Sequence, residues 1–307
     1  MLILQGAARH LENLAFSPDG VFVAASDRDG PIELWDTTAA RLAHTFPSHT
    51  HHDAYSFQFH PLTGRLFAPG NTDGIVVHDP ATGGTAVNKI RGATVARVAV
   101  APDGSSLLYY HYTSGRRNFC RRDFRRSGRT VAAWAVPLFP PDPDFGWTRS
   151  LQYIGDGARF CTTDYTGKKA TNRLAVRSVA TGDILATTRI PHTDPWGLAV
   201  TPDASRFAVR GGTSLMVWDW DTFEEKPRIL RTKSKRPVTG MAYHPCGKLL
   251  AATSGDAVTF FDTTTDEVAF TFEWDVGRLG CVCFAPDGTK AAAGTHDGRV
   301  VVWDVDG

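Results

Sequence analysis

The 307-residue chain has no apolar run near the roughly 18 residues that a membrane-crossing helix needs; stretches such as 98–100 and 300–303 are far shorter. This argues against a membrane partner. It also has no basic leader ahead of an apolar region and no small-residue cleavage site at its start, so a cytoplasmic location is expected. Its five cysteines, Cys120, Cys161, Cys246, Cys281 and Cys283, are odd in number and include no CxxC pair, which excludes a disulfide framework and a cysteine-based structural zinc site. Free buried thiols are the expectation. GxSxG, HExxH, GxxxxGK[ST] and GxGxxG are all missing, so nothing points to a nucleophile elbow, a zinc protease or a phosphate-cradling loop. No window of helical periodicity with caps is present.

What is present is a repeat. A tight turn recurs at residues 17–20, 60–64, 101–104, 201–204, 244–247 and 285–288, three times as Pro-Asp-Gly and always with Pro second, with a weaker copy at 154–157. The turns are 40 to 53 residues apart, close to the roughly 40 to 45 residues of a four-stranded propeller blade. Proline presets φ, Asp bonds the backbone ahead of it, and Gly accepts positive φ, so each tetrapeptide joins two strands in a hairpin. Short β-branched runs flank each turn, and four strands per unit follow.

The dipeptides Trp35-Asp36, Trp218-Asp219 and Trp303-Asp304 close the third strand of their units, 15 or 16 residues after the turn. With these residues the chain resembles the WD-repeat β-propeller family. The resemblance implies an all-β, seven-bladed propeller of four-stranded antiparallel blades, one domain over 1–307. Its ring would be closed by residues 2–4 completing the C-terminal blade, which supplies only three strands. It also implies a structural hydrogen-bonded set of His10, Ser26, Asp29 and Trp35 in the first unit, with Trp218, Asp297 and Trp303 as remnants elsewhere. Three of seven units carry the dipeptide. His78-Asp79, Trp134-Ala135, Ser178-Val179 and Phe261-Asp262 are read as its decayed copies.

Two units are stretched between the second and third strands, at about 112–129 and 164–172. The first insert holds Arg116, Arg117, Arg121, Arg122, Arg125, Arg126 and Arg129 against Asp123 alone, with Phe119 and Phe124 interleaved. A second basic segment, Lys226, Arg228, Arg231, Lys233, Lys235 and Arg236, has no acid between 226 and 236. The near-neutral total of +1 therefore hides two basic segments on an acidic remainder. By the resemblance these segments share one face, which would attract phosphates or carboxylate-rich partners. Arginine without lysine in the insert favours planar, bidentate recognition. Trp147 and Trp196, with Arg149, Asp194 and Arg278 at equivalent positions, are placed at the mouth of the central channel and read as contact residues. The prolines at 137, 140, 141 and 143 predict a short outer strand in the third unit.

His44, His49, His51, His52 and Asp53 are the densest imidazole group, read as a polar loop and not a metal site. No cofactor is expected. The resemblance implies a non-catalytic scaffold, monomeric on its own, that binds another protein with an acidic surface or segment. Nucleic-acid or other polyanion binding through the Arg-rich loop is the alternative, and a hydrolase assembled from loops is the third reading.

Overall fold

The computed structural model describes residues 1–6, 9–27, 30–47, 56–70, 74–90, 93–113, 116–124, 136–137, 147–165, 172–191 and 195–305. The described strands form seven four-stranded antiparallel sheets, the blades of a seven-bladed β-propeller. One short 3-10 turn, Trp220–Thr222, is the only helical element among the described residues. The chain divides into two compact units, one of residues 1–48 with 195–307 and one of residues 49–194.

The first unit holds blades 1, 5, 6 and 7. In blade 7 the strand Leu2–Gln5 pairs antiparallel with Arg299–Asp304, with Leu2 opposite Val302 and Gln5 opposite Arg299. The N-terminal strand is thus the fourth strand of the last blade, as the missing strand predicted. Its Leu4 is buried in a cluster with Leu11, Phe16, Val23, Trp35, Val300 and Val302, and comparable clusters fill the spaces between blades 5 and 6 and between 6 and 7.

The second unit holds blades 2, 3 and 4. Its core lies between Val98, Leu107 and Tyr109 on one side and Phe67 and Ile75 on the other, then between Tyr110 and Phe119 and the blade 4 residues Leu151 and Phe160. The third strand of blade 3 is Arg116–Asp123, paired along its whole length with Ser106–Thr113. This corrects the reading of 112–129 as an insert between those two strands. RRNFCRRD lacks β-branched residues and reads as a charged loop, yet Phe119 and Cys120 are buried within it. The extra length of this blade follows the third strand instead, and its fourth strand, Val136–Pro137, pairs only with Cys120 and Arg121.

Register then relocates the decayed dipeptides. Leu107 lies opposite Arg122 and Phe160 opposite Arg177, just as Val23 lies opposite Trp35. Arg122-Asp123 and Arg177-Ser178 therefore occupy the dipeptide position in blades 3 and 4, not Trp134-Ala135 and Ser178-Val179. The residue in that slot is buried in six blades, as Trp35, His78, Arg177, Trp218, Phe261 and Trp303, and half-buried as Arg122 in the seventh.

Trp35 is not tied into the hydrogen-bonded set expected of blade 1. Trp35, Trp218 and Trp303 are buried, but none of their Nε1 atoms has a hydrogen-bond partner. His10 is exposed and faces the ring of His296 at 5.0 Å. Ser26 is buried, and Asp29 lies outside the described residues. Asp27 makes the turn instead, accepting the backbone N–H of Gly30 and, at 3.4 Å, that of Arg9. Asp297 accepts from the Thr295 hydroxyl and pairs with Arg299 rather than serving Trp303. Apolar packing holds these tryptophans.

Trp35→Ala should cost on the order of 3 to 5 kcal/mol, the usual loss for a buried Trp truncation. Urea unfolding measures it, and a loss under about 1 kcal/mol would show the slot to be soft. Deleting residues 1–5 should lower the melting temperature by several degrees, because the Arg299–Asp304 edge loses its partner strand and Leu4 leaves the core. Melting unchanged from the parent would refute this.

Candidate interaction surface

The predicted contact residues fall into separate settings, described unit by unit. In the second unit Arg116, Arg117, Arg121 and Arg122 lie on the third strand of blade 3, while Arg125, Arg126 and Arg129 lie outside the described residues. Half-buried Arg121 is paired with exposed Asp123, Nε to Oδ1 at 3.1 Å. Trp147, 37% exposed, opens blade 4 and meets Tyr112 edge-on at 5.3 Å. Arg149 lies over the Tyr165 ring at 5.1 Å, and its carbonyl accepts from buried Arg97 at 2.8 Å.

Arg177 in the dipeptide slot is served by Asp164, which is fully buried. Asp164 Oδ2 lies 3.2 Å from Arg173 Nε and 3.8 Å from Arg177 Nη2, and Oδ1 accepts from Thr148 at 3.2 Å. Burial pushes the Asp164 carboxyl up, against the pull of the two arginines. Arg177 also stands over the Phe119 ring. This group is structural and closed to solvent.

In the first unit the segment 232–237 links the last strand of blade 5, Arg228–Arg231, to the first strand of blade 6, Val238–Tyr243. It is a built loop. Thr232 Oγ1 donates to the Ser234 carbonyl at 3.3 Å, the Arg236 N–H donates to Ser234 Oγ at 3.1 Å, and Ser254 Oγ donates to the Arg236 carbonyl at 2.9 Å. Lys233, Lys235 and Arg236 point to solvent from this frame and make no ion pair among the described residues. The Arg236 side chain passes over Gly255, whose positive φ and missing Cβ leave room for it. The Gly255 carbonyl in turn accepts from Leu279, the neighbour of exposed Arg278. Lys233, Lys235 and Arg236, expected as one basic cluster, thus share this loop, and Arg278, expected at the channel mouth, precedes the residue bonded to Gly255. Trp196 is half-buried, its carbonyl taking Arg210 Nε at 2.6 Å while Arg210 also donates to the Thr239 carbonyl of blade 6.

Not every cation of the segment belongs to this edge. Arg228 closes a ring of alternating charge with Asp219, Arg206 and Asp266. Arg206 reaches Asp219 and Asp266 at 2.8 Å each, and Arg228 Nε reaches Asp266 at 2.5 Å while its other nitrogens hold Asp219. The ring fastens blade 5 to blade 6, and Arg206 also donates to the Thr263 carbonyl. Arg206 and Asp266, with Tyr243 and Phe261, line a narrow gap between the two blades. Sequence reasoning missed this ring; its one visible signal was Arg206 opening an apolar second strand.

Among the cysteines, Cys120, Cys161 and Cys281 are buried, Cys283 is half-buried, and Cys246 is exposed, which corrects the expectation that all five lie inside. His44 sits on the outer strand of blade 1 against Phe46, and His49, His51, His52 and Asp53 lie outside the described residues, as does Asp194.

Comparison with known proteins agrees with this architecture. The family described as WD40: WD domain, G-beta repeat matches residues 225–261 and 270–304. Mouse echinoderm microtubule-associated protein-like 2 is 30% identical over 112 residues, 36% of this chain. Human echinoderm microtubule-associated protein-like 1 is 26% identical over 137 residues, 44% of this chain. These matches span 17% and 16% of the two relatives, so the likeness concerns a small part of each. The β-propeller domain of Cps50 (Swd1) from Myceliophteria thermophila superposes with a TM-score of 0.74, over 98% of this chain and 99% of that one, at 16% identity. That last likeness is one of fold.

The Arg228 hydrogen bond, and then Arg206, hold the Asp219 carboxyl down at about 2 against the opposing effect of burial. Because this lies below the unfolded value of about 3.9, the stabilisation is full above that value and drains as pH falls through 2. Asp219→Asn should cost about 1 kcal/mol at pH 7, discounted for the side chain's partial exposure, and progressively less toward pH 2. Urea midpoints for parent and variant at both pH values measure this; a difference that does not change with pH would remove the ring's role.

Proposed function

Because this chain is a seven-bladed β-propeller carrying WD40 repeats, we propose that it is a non-catalytic scaffold that holds an acidic segment of another protein on the basic edge of blade 6. WD40 propellers typically serve as protein-interaction scaffolds. The observation that carries the finer reading is the hydrogen-bonded loop 232–237, from which Lys233, Lys235 and Arg236 project to solvent with no ion pair among the described residues. Its fixed frame lowers the entropy lost when a partner is bound. Arg121 and Arg122 of blade 3 and Trp147 of blade 4, all in the second unit, are assigned to partner contact as well. The reading places the protein in the cytoplasm as a monomer awaiting its partner. No helix of the described residues is long and apolar enough to cross a membrane. The relatives' names associate them with microtubules, so cosedimentation with microtubules is a direct first trial of a protein partner.

A fluorescent Glu-rich peptide and a single-stranded oligonucleotide are the probes for charge. The peptide should bind, weaken as salt rises because screening shortens the reach of exposed charge to about 8 Å at physiological ionic strength, and bind on the order of tenfold more weakly to the Lys233→Ala, Lys235→Ala, Arg236→Ala triple variant. Melting should stay within about a degree of the parent. Equal peptide affinity in parent and variant would overturn the assignment, and oligonucleotide binding in preference to peptide would replace it with polyanion binding.

A further inference from the structure

Cys246 lies in the tight turn between the first strand of blade 6, Val238–Tyr243, and the second, Leu249–Ser254, with its thiol exposed. The imidazole of His244 folds back over the same turn. Cys246 Sγ is 2.8 Å from His244 Nδ1, and the Cys246 backbone N–H donates to that nitrogen at 3.1 Å. On the other side of the ring, Nε2 is 2.9 Å from the Gly288 carbonyl oxygen.

These contacts settle the tautomer. A carbonyl oxygen only accepts, so Nε2 carries the ring proton, and a backbone N–H only donates, so Nδ1 bears the lone pair. The thiol therefore faces a proton acceptor at hydrogen-bond distance. The ring cannot easily turn away: it stands edge-on to Phe284 at 5.0 Å, and a Cβ at Gly288 would come within 2.6 Å of its atoms. Blade 2 repeats the clamp without sulfur. His60 Nε2 is 3.0 Å from the Gly104 carbonyl, and Nδ1 takes the N–H groups of Leu62 and Thr63 at 3.2 Å. The imidazole is thus a fixture of the turn, and in blade 6 the residue two positions on is a thiol.

We propose that Cys246 and His244 form a reactive thiol–imidazole dyad, a site of reversible mixed-disulfide formation with low-molecular-weight disulfides. Nδ1 takes the Sγ proton, and the thiolate attacks one sulfur of the incoming disulfide. The Cys246–sulfur bond forms as the disulfide's S–S bond breaks, and the departing thiolate recovers the proton from Nδ1. Cys246 and one half of the disulfide end in the mixed disulfide and the other half leaves as a free thiol, so the incoming disulfide is itself the oxidant and no other is needed. The remaining cysteines do not compete: Cys120, Cys161 and Cys281 are buried and Cys283 is half-buried, with burial raising each thiol, Cys281 to about 12.

The test compares the folded chain with an unstructured peptide of residues 241–250, which holds the same His and Cys without the clamp. Both are treated with oxidised glutathione at pH 7, and adducts are followed by intact mass and peptide mapping. The folded chain should gain one adduct, at Cys246, on the order of tenfold faster than the peptide, because a free thiol is already a few per cent thiolate at pH 7 and a positioned base can add only the remainder. His244→Gln, checked for folding by its melting curve, should react at the peptide's rate, and Cys246→Ser should gain no adduct. Equal rates for chain and peptide would overturn the proposal without any variant, as would a folded His244→Gln chain that reacts as fast as the parent.

Discussion

The tight turn between the first and second strands of each blade is the constraint on which the rest depends. In five blades the turn carboxylate accepts the N–H two residues ahead at 2.9 to 3.0 Å, from Asp19, Asp103, Asp156, Asp203 and Asp287. The glycine that follows takes positive φ at 20, 64, 104, 157, 247 and 288, and only Ala204 adopts it with a side chain. A strand that slipped by one residue would turn its buried set to solvent. The turn therefore decides which residue of the third strand enters the core, and it also aims His60 and His244 at the glycine of the next blade.

The core slot set by that register is chosen for volume more than for hydrogen bonding. Tryptophan fills it three times with its Nε1 unpartnered, and phenylalanine fills it once with no polar atom at all. Where the occupant is charged, partners are required, because an unpaired buried charge costs several kcal/mol. Arg177 has Asp164, which is held in turn by Arg173 and Thr148. Such a slot accepts Trp, His, Arg or Phe, which explains why the Trp-Asp signature fades while the blade persists.

Charge is divided between holding the protein together and meeting what lies outside. Arg206 and Arg228 are spent on Asp219 and Asp266, so part of the basic segment that looked like a single patch is neutralised within blades 5 and 6. Lys233, Lys235 and Arg236 remain, on a frame tied to Ser254. This edge precedes the first strand of blade 6, and the Cys246–His244 pair follows it, so the two lie at opposite ends of one strand and act independently.

The repeat, the strand count and the hairpins were determined by sequence alone, because turn chemistry is local: Pro, Asp and Gly act within four residues; the fourth strand missing from the last blade pointed to residues 2–4 as its completion. The third strand of blade 3 was not legible, since RRNFCRRD carries no strand composition and only its pairing with residues 106–113 makes it one. Nor was the holding of Trp35 by apolar packing without a hydrogen bond to its Nε1. Pairing partners decide such points: Arg228 meets Asp266 across 38 residues and Arg236 lies over Gly255, so which cations are neutralised and which face solvent follows from distance in space, which only the tertiary structure sets.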